Sequence, residues 1–585
     1  GYDEFRFSQE KIINNILSGR DVLAIMPTGS GKSLCYQIPA MLLEGTTIVI
    51  SPLISLMKDQ VDVLLQMGIP SSYINSSLDF DELLNRQRKL TNGEYKLVYI
   101  APERLSVPSF MSSLTRIKIS QIAVDESHCI SQWGHDFRPE YRQISQLIKG
   151  LKSRPIVTAF TATATEECKN DIIDQLELIN PYIEISSFDR PNIFFSVIKN
   201  SKKDDELYSL LSEGESTIIY AATRKTVEKI YGNLMKRGKR VGKYHGGMTA
   251  DLRDNMQDMF LYDQIDIMVA TLAFGMGIDK PDVRKVIHYN MPKSLENFYQ
   301  EAGRAGRDGL ESESIILYSP SDKGLQQFII QNDSNFEDSI KKLESMDDYC
   351  NTKSCLRKYI LNYFGENAKN CNNCINCETE FFKRDITLES KKILSCIHKM
   401  VNNYGKTMLC DVLMGRNTAR IRQNGFNEIS TYGIMKDYSK DEIMEMIFCL
   451  IKKDLIFVDN FNYNVLSLNK KSYDFLKSDE LIFMQTKKPE ENLLLKTKQH
   501  RREIPKDDEN LFEKIRLWRL HKALERSVPP FVIFNDQTIY SLIEIMPKTI
   551  DELTKVKGIG EKKKNDFGKD LLDLIWDRNN KEVYY

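Results

Sequence analysis

The sequence predicts a multidomain α/β chain, in which two doubly wound lobes with parallel sheets precede smaller, mainly helical modules. The chain has 585 residues, enough for about three to five domains of roughly 100 to 200 residues each. Short apolar stretches alternate with helical patterns through its first half, as in parallel α/β folds. Hydrophobic residues make up 41% of the chain and charged residues 28%. This composition is typical of globular proteins and excludes a disordered or fibrous chain.

The net charge is −1, so any nucleic acid must be held by local basic patches and not by the field of the whole protein. No apolar run approaches the roughly 18 residues of a membrane span, and the N-terminus lacks the layout of a secretory signal. We therefore expect an intracellular protein without a membrane partner. The chain begins at Gly1 and not at Met, which leaves open whether residues precede it.

The segment DVLAIMPTGSGKS (21–33) has the pattern of a buried strand, a glycine-rich turn and the start of a helix. Backbone amides of such a turn surround phosphates, its lysine reaches the outer phosphates, and its last hydroxyl can bind Mg²⁺. Met26 stands where the strict GxxxxGK[ST] pattern has its first glycine, and a plain helix-start loop is the alternative. The predicted nucleotide-binding residues are Thr28, Gly29, Ser30, Gly31, Lys32 and Ser33.

A second candidate segment follows the short apolar strand predicted at 121–124, where Asp125 and Glu126 begin the sequence DESH. The carboxyl end of a parallel strand faces the ligand crevice, where Asp125 would bind Mg²⁺ and Glu126 would orient the attacking water. Solvated surface acids are the alternative. The preceding lysine loop favours the catalytic interpretation.

The second lobe begins after Arg190, with strand candidates at 216–223, 266–271 and 283–290. It has no phosphate loop of its own but carries QEAGRAGRDG (300–309), in which Arg304 and Arg307 are three residues apart. Two guanidiniums at this spacing can stabilise charge on a transferring phosphoryl group. A pair of surface arginines is the alternative.

The ordered series PTGSGKS, SPLISLMKDQ, DESH, FTATAT, ATLAFGMGIDK and QEAGRAGRDG resembles the motifs of superfamily two helicases, in their RecQ branch. The resemblance spans nearly the whole chain. It implies two RecA-like lobes, ATP and Mg²⁺ as cofactors, and 3'-to-5' unwinding of DNA. It also implies that GYDEFRFSQ recognises adenine through Tyr2, Arg6 and Gln9, although Ser8 could simply cap a helix. Gln300 is expected to contact the nucleotide as well.

The segment ISQWGHDFRPEY (130–141) is dense in aromatic and basic residues, on which unpaired bases could stack. By resemblance it is the aromatic-rich loop that couples single-stranded DNA to ATP hydrolysis. Ordinary packing of these aromatic residues is the alternative. The predicted DNA contacts of this loop are Trp133, His135, Phe137 and Arg138.

Cys371, Cys374 and Cys377 are separated by two-residue gaps, which allow their thiolates to converge on one tetrahedral zinc ion. The fourth ligand could be Cys355 or Cys350, and the RecQ pattern selects Cys355. Four thiolates leave no open position for water, so a structural zinc is expected. Disulfide pairing is a weaker alternative in a reducing compartment.

The rest of the chain predicts two DNA-binding modules. Helices followed by a hairpin at 455–468 indicate a winged helix, whose hairpin tip carries Phe461 and Tyr463 as a candidate strand wedge. The last module resembles the helicase-and-RNase-D-like C-terminal (HRDC) domain, with Phe531 where the family often has tyrosine. For the basic residues the alternative is an ordinary solvated surface, and for the aromatic residues of the hairpin tip it is cross-strand packing. The predicted phosphate contacts are Arg416, Arg420 and Arg422 in the winged helix, and Lys562 and Lys563 near the C-terminus.

These assignments predict a multidomain α/β architecture with a definite order. Its expected domains are lobe 1 at 1–190, lobe 2 at 191–325, a zinc-binding helical subdomain at 326–383, a winged helix at 384–484, a linker at 485–508 and an HRDC domain at 509–585.

The expected function is ATP-driven unwinding of duplex or branched DNA, in recombination, repair and replication. We also expect a monomer in the bacterial cytoplasm, with single-strand-binding protein as a partner. Remodelling of RNA, translocation on duplex DNA without unwinding, and a DNA-binding scaffold whose motor has decayed are the alternatives.

Overall fold

The computed structural model describes residues 5, 8–52, 54–76, 78–131, 134, 137–199, 202–274, 280–331, 333, 335–401, 404–459, 465–487, 506–526 and 528–576. Its chain divides into two compact units, with one boundary between Glu378 and Thr379. The larger unit contains both parallel sheets, the cysteine-rich module and the C-terminal helices; the smaller one contains the remaining helices and a hairpin. Within the described ranges, no helix is both long and apolar enough to span a bilayer.

Lobe 1 is a seven-stranded parallel sheet in the order β3-β4-β2-β5-β6-β1-β7. Its strands are β1 (Val22–Ile25), β2 (Thr46–Ile50), β3 (Ser71–Ile74), β4 (Leu97–Ile100), β5 (Ile119–Val124), β6 (Ile156–Thr161) and β7 (Tyr182–Ile185). Its helices are α1 (Gln9–Leu17), α2 (Lys32–Leu42), α3 (Ile54–Gln66), α4 (Phe80–Thr91), α5 (Pro108–Leu114), α6 (Gln143–Gly150) and α7 (Glu166–Gln175).

Helices cover both faces of this sheet, so its central strands are apolar throughout and do not alternate with polar residues. In β1, Leu23 and Ile25 pack into one hydrophobic layer, while Val22 and Ala24 pack into the layer on the opposite face. Burial on both faces explains the continuous apolar sequence of β1, which leads into the glycine-rich turn.

Lobe 2 is a six-stranded parallel sheet in the order β10-β11-β9-β12-β13-β8. Its strands are β8 (Ile193–Lys199), β9 (Thr217–Tyr220), β10 (Val241–Tyr244), β11 (Ile267–Ala270), β12 (Lys285–His288) and β13 (Ser312–Tyr318). Its helices are α8 (Lys203–Ser209), α9 (Arg224–Lys236), α10 (Ala250–Leu261) and α11 (Leu295–Ala302). Each of the three strand candidates predicted for this lobe contains one of these strands.

A helical module follows lobe 2 in the same compact unit. Its helices are α12 (Ser321–Ile330), α13 (Phe336–Asn351), α14 (Leu356–Tyr363) and α15 (Ile375–Glu378). Tyr349 of α13 and Ile360 of α14 belong to the same hydrophobic cluster as Phe298 of α11. The module therefore packs onto lobe 2 and shares its hydrophobic core.

The smaller unit has the predicted helices and hairpin, together with a strand pair that the sequence did not suggest. Its helices are α16 (Thr387–Lys399), α17 (Lys406–Leu413), α18 (Ala419–Gln423), α19 (Lys440–Lys452) and α20 (Lys470–Lys477). The hairpin pairs β15 (Phe457–Asp459) with β16 (Val465–Ser467). Its tip, with Phe461 and Tyr463, lies outside the described residues. The additional antiparallel pair joins β14 (Phe381–Asp385) to β17 (Phe483–Lys487). It thereby links the first and the last strand of the smaller unit.

The C-terminal helices are α21 (Lys506–Glu525), α22 (Pro530–Ile533), α23 (Asp536–Ile545) and α24 (Glu561–Trp576). Trp518, Phe534 and Phe567 form the aromatic centre of their core. α21 begins at Lys506, three residues before the start predicted for this domain.

Candidate functional site

The glycine-rich turn leaves β1 and enters α2, which begins at Lys32. Gly29 and Gly31 have φ angles of 81° and 80°, a left-handed conformation that favours glycine. Met26 does not lie in the turn: its amide donates to the Thr161 carbonyl at 3.0 Å, so it extends β1 beside β6. This extended conformation explains why the first glycine of the strict pattern is not needed here.

Lys32 shares its surroundings with two carboxylates from β5 and one guanidinium from lobe 2. Burial and the charge of Arg307 lower the pKa of Lys32, while Glu126 and Asp125 oppose that change. The Lys32 Nζ donates to the Met26 carbonyl at 3.2 Å. Charges from both lobes therefore face the end of the phosphate loop.

Asp125 is buried at the carboxyl end of β5. Burial and the neighbouring Glu126 raise the pKa of Asp125 to about 7, while Lys32 and the Ser51 hydroxyl oppose the change. Ser33 and Asp125 both lie close to Tyr36. Burial, Tyr99 and Asp125 raise the pKa of Tyr36, and a hydrogen bond with Ser33 opposes this change. A hydroxyl and a carboxylate near a phosphate loop are suitable ligands for Mg²⁺, whose charge would favour ionised Asp125.

The Glu126 carboxylate lies beside a buried histidine that hydrogen-bonds β6. Glu126 has a backbone φ of 46°, and its Oε2 is 3.4 Å from His128 Nδ1. His128 Nδ1 also lies 2.9 Å from the Thr161 Oγ1. The sequence interpretation assigned no role to His128 or Thr161, although both lie inside the DESH and FTATAT segments that it singled out.

Gln9 of α1 braces the phosphate loop. Its side-chain amide is buried and donates to the carbonyls of Ser30 at 2.9 Å and Gly31 at 3.2 Å. The structure therefore places Gln9 against the loop. Tyr2 and Arg6, the other predicted adenine contacts, lie outside the described residues.

The two predicted arginines of lobe 2 have different surroundings. The aliphatic part of Arg307 lies over Gly29, where an added Cβ would be 3.2 Å from Arg307 Cγ. Arg304 is only 4% exposed and hydrogen-bonds the Tyr220 hydroxyl, which itself donates to the Phe274 carbonyl at 2.9 Å. Gln300 is buried in α11.

The predicted DNA-coupling loop is described in part. Trp133 and His135 lie outside the described residues. The Phe137 ring lies under the guanidinium of Arg142, 5.0 Å from ring centre to Cζ. The Arg138 amide donates to the Cys129 carbonyl at 2.8 Å. Its Nη1 lies 3.5 Å from the Pro52 carbonyl, in the SPLISLMKDQ segment.

Four cysteine sulfurs converge at the start of α14. The cluster comprises Cys355, Cys371, Cys374 and Cys377, with all four sulfurs within 4.8 Å of one another. Cys355 Sγ is 3.4 Å from Cys371 Sγ and 4.0 Å from Cys374 Sγ. Tetrahedral zinc with bonds of about 2.3 Å needs sulfurs about 3.8 Å apart, so these residues fit the ion.

Backbone amides support the same cluster. The amides of Lys358 and Leu356 lie 3.4 Å from the sulfurs of Cys355 and Cys374, and such hydrogen bonds favour thiolates over thiols. Cys350 is buried beside Asp347 and Lys199 and does not belong to the cluster. The geometry thus brings together the four cysteines that the sequence interpretation chose.

Comparison with protein families matches the chain in five consecutive segments. The matched models are DEAD/DEAH box helicase at 6–170, helicase conserved C-terminal domain at 202–309, RecQ zinc-binding at 320–378, RQC domain at 380–492 and HRDC domain at 508–575. The chain is 44% identical to "ATP-dependent DNA helicase RecQ" of Bacillus subtilis over 583 residues, covering 98% of this chain and 96% of that protein. The chain belongs to the RecQ family.

Two further relatives are similar to this chain. The Pasteurella multocida "ATP-dependent DNA helicase RecQ" is 38% identical over 98% of this chain and 92% of its own length. A mimivirus protein named "Putative ATP-dependent RNA helicase R290" is 38% identical over 78% of this chain and 86% of its own length. RecQ membership and the predicted fold class are thereby confirmed: two parallel-sheet lobes, a zinc-binding cysteine region, a winged helix and an HRDC domain.

The basic residues predicted in the RQC domain lie on an exposed surface of α18 and the loop before it. Arg420 and Arg422 are exposed on either side of the buried Ile421, so one apolar side chain anchors the short helix and directs both arginines outward. Arg416 is also exposed, with its Nη1 3.3 Å from Asp411 Oδ1.

In the HRDC domain, the two predicted lysines differ in exposure. Lys562 is exposed at the start of α24, whereas Lys563 is half-buried, and burial lowers its pKa. Phe531 is half-buried in α22. Lys562 is therefore the more accessible candidate for a phosphate contact.

Proposed function

We propose that this RecQ chain is a DNA helicase that uses ATP hydrolysis to translocate 3'-to-5' on single-stranded DNA and to unwind duplex or branched DNA. One observation supports this most strongly: Arg307 of lobe 2 lies against Gly29 of the phosphate loop, near Lys32, Asp125 and Glu126 of lobe 1. A nucleotide bound at that loop would touch both lobes. Its hydrolysis could then change their separation.

The proposed roles follow from the position and chemistry of each side chain. Lys32 neutralises the terminal phosphates, and Ser33 and Asp125 hold Mg²⁺, which when bound supplies positive charge next to the phosphates. Glu126 orients the attacking water, with the buried His128 beside its carboxylate. Thr28, Gly29, Ser30 and Gly31 offer backbone amides, and Tyr2, Arg6, Gln9 and Gln300 contribute to nucleotide recognition.

Arg304 and Arg307 are proposed to stabilise negative charge as the phosphoryl group leaves. Arg307 lies against the phosphate loop, whereas Arg304 hydrogen-bonds the Tyr220 hydroxyl. We therefore expect Arg307→Ala to lower kcat more directly than Arg304→Ala. Loss of Arg304 also removes a buried partner of Tyr220 and should affect stability as well.

The DNA is proposed to contact the two motor lobes at the loop after DESH. It is also proposed to contact the accessory domains at their basic residues. Phe137 and Arg138 follow Glu126 by only 11 and 12 positions, so strand binding at Trp133, His135, Phe137 and Arg138 could shift the catalytic carboxylates. The exposed Arg416, Arg420 and Arg422 are proposed to contact duplex phosphates, as are Lys562 and Lys563.

Replacement of Lys32 by Ala is the primary test of the ATPase assignment. The variant should lose DNA-stimulated ATP hydrolysis while retaining its affinity for single-stranded DNA, because Lys32 contacts the nucleotide and not the strand. Lys11→Ala is a suitable control, since Lys11 is an exposed lysine on the neighbouring α1. Normal hydrolysis by the Lys32 variant would refute the assignment.

Polarity and substrate class need a separate experiment. Duplexes with a 3' or a 5' single-stranded tail, made from DNA or from RNA, would be compared for unwinding and for stimulation of ATP hydrolysis. We expect activity on DNA with a 3' tail. The relative named as an RNA helicase makes the RNA arm informative, and equal stimulation by RNA would favour the RNA-remodelling alternative.

A scaffold without a motor is the remaining alternative. It is disfavoured because the phosphate-loop lysine, both carboxylates and the arginine lie together in the structure. A single assay of ATP hydrolysis by the wild-type protein distinguishes the two, since a scaffold would show none.

The finer biological assignments rest on family resemblance. We propose action in DNA recombination, repair and replication in the bacterial cytoplasm, by a monomer that interacts with single-strand-binding protein. The zinc is proposed to be structural, because four thiolates complete its coordination. Sedimentation with and without single-strand-binding protein would test the oligomeric state and the partner together.

A further inference from the structure

Arg190 joins the two lobes beside the phosphate loop. It lies in the segment 186–192 between β7 of lobe 1 and β8 of lobe 2. Its Nη1 donates to the carbonyls of Thr28 at 3.3 Å and Gly303 at 3.1 Å. Its Nη2 donates to the carbonyls of Ala305 at 2.9 Å and Gly306 at 3.1 Å.

These four carbonyls belong to two functional loops. Thr28 lies in the phosphate loop, and the other three residues surround Arg304 and precede Arg307 in lobe 2. The two loops also touch directly, because a Cβ at Gly303 would be 3.6 Å from the Thr28 Cβ. One guanidinium therefore ties the phosphate loop to the turn that carries the arginines.

The segment that carries Arg190 is held from its other side by the cysteine-rich module. Arg357 of α14 pairs with Asp189 at 2.8 Å and donates to the Ile193 carbonyl at 2.7 Å. Glu366 accepts hydrogen bonds from the Ser187 hydroxyl at 2.9 Å and from the Phe188 amide. The segment that carries Arg190 is therefore anchored to the cysteine-rich module at several points.

Aromatic packing restrains the same segment. The Phe188 ring stacks on Phe364 with ring centres 4.6 Å apart, and the Tyr299 hydroxyl donates to the Phe188 carbonyl at 2.8 Å. Tyr299 lies in α11, one turn before the arginine-bearing segment. Phe188 therefore contacts both the cysteine-rich module, through Phe364, and α11, through Tyr299.

We propose that Arg190 is a positioning residue for the proposed reaction: it sets Arg307 against the phosphate loop and acts on catalysis through that arginine. The proposal rests on the proposed ATPase function. A planar guanidinium can donate to several carbonyls in one plane, whereas a lysine ammonium is a compact point donor and cannot span both loops. Arg190 itself needs no contact with the nucleotide.

Arg190→Lys is the test variant, because it keeps the charge and removes the fork of donors. We expect kcat for DNA-stimulated ATP hydrolysis to fall by roughly tenfold or more, with KM for ATP changing by less than about threefold. Affinity for single-stranded DNA should be unchanged. The control is Arg154→Lys, since Arg154 also donates to backbone carbonyls, together with the Asp21 carboxylate, but only within lobe 1.

A double-mutant cycle with Arg307→Ala separates positioning from general support of the fold. If Arg190 acts through Arg307, Arg190→Lys will have little further effect on kcat in the Arg307→Ala background. Independent, multiplicative losses would overturn the proposal. An unchanged kcat in the single Arg190→Lys variant would do so as well.

Binding of ADP with aluminium fluoride provides a readout that does not depend on residual turnover. This mimic of the transferring phosphoryl group should bind Arg190→Lys more weakly than wild type, while ADP alone should bind equally. Equal loss for both ligands would indicate a damaged pocket and reject the positioning role. Absence of ATP hydrolysis in the wild-type protein would instead reject the proposed function itself.

A variant of the supporting segment covers the case in which Arg190→Lys fails to fold. Glu366→Gln retains the shape of the side chain but weakens its two hydrogen bonds to Ser187 and Phe188. We expect a smaller loss of kcat, roughly two- to fivefold, with zinc content unchanged. Full activity in a folded Glu366→Gln protein would contradict the argument that this segment holds Arg190 in place.

Discussion

Arg307 of lobe 2 lies directly over Gly29 of the lobe 1 phosphate loop, where an added Cβ would be 3.2 Å from Arg307 Cγ. The two residues are 278 positions apart in the sequence, yet no side chain separates the arginine from the loop backbone. Glycine at position 29 thus serves two purposes: it permits the left-handed turn, and it leaves room for an arginine from the other lobe.

Gly29→Ala should therefore impair catalysis beyond its effect on stability. The methyl group would displace Arg307, and we expect kcat for ATP hydrolysis to fall by roughly tenfold to a hundredfold. Gly19→Ala is the matched control, because Gly19 has a φ of 84° and no atom within 4 Å of an added Cβ. Both variants carry a left-handed strain of about 1–2 kcal/mol, but the control should keep its kcat. Similar turnover in the two variants would argue against the contact.

Thr161→Val should disturb the buried His128 beside Glu126 and the contacts of Thr161 with Thr163. His128 would lose its 2.9 Å partner in a fully buried position, which costs about 1–3 kcal/mol. We expect a lower melting temperature together with a several-fold lower kcat, because His128 would shift beside the Glu126 carboxylate.

Thr158→Val is the control for this prediction. Thr158 is also fully buried in β6, and its hydroxyl accepts from Gln121 at 2.9 Å, but it has no connection to Glu126. Its stability loss should be similar and its kcat unchanged. If both variants lose activity in proportion to stability, the specific role of Thr161 is wrong.

Metal analysis of cysteine variants should identify the fourth zinc ligand. We expect one zinc ion per wild-type chain and its loss in Cys355→Ser, because three thiolates bind more weakly than four and leave one position open. Cys350→Ala should retain the ion, since Cys350 lies outside the sulfur cluster. Loss of zinc from the Cys350 variant, with retention in the Cys355 variant, would reverse the assignment.

Lys280 is a buried cation in lobe 2 that holds two carboxylates. It pairs with Asp263 and with Asp282 at 3.1 Å and is 2% exposed. Lys280→Met removes this shared cation, although Arg519 and Arg284 remain near Asp282; breaking a buried ion pair typically costs about 3–5 kcal/mol. Thermal unfolding should show this loss, and adding Asp263→Asn and Asp282→Asn should recover part of it.

The same interaction predicts a pH dependence with a definite sign. Burial raises the pKa of Asp282, but Lys280, Arg519 and Arg284 outweigh burial and lower it to about 2. A carboxyl whose folded pKa is depressed stabilises the fold above its unfolded pKa of about 4 and loses that contribution as the pH falls to about 2. The difference in melting temperature between wild type and Lys280→Met should be largest near neutral pH and should narrow between about pH 4 and 2. A constant difference would exclude this linkage.

Much of the architecture could be predicted because its signals are local. The buried strand before the glycine turn, the acid pair after a strand and the CxxCxxC spacing each depend on a few adjacent residues. Strand and turn geometry is set by burial and by the φ angles that glycine permits, and both can be judged from a short segment. Lys32, Asp125, Glu126 and the cysteines were therefore accessible to sequence reasoning.

The sequence by itself determined which chemistry this protein carries: a phosphate loop, a carboxylate pair, two arginines and four closely spaced thiols. Only the tertiary structure decided which of these groups meet. It placed Arg307 against the phosphate loop and Arg304 against Tyr220. It also placed Cys350 away from the thiol cluster. It also brought Arg190 to two loops more than 270 residues apart. The reason is physical: local sequence sets the chemical type and backbone conformation of a residue, whereas its distance from a remote partner depends on how whole sheets and helices pack.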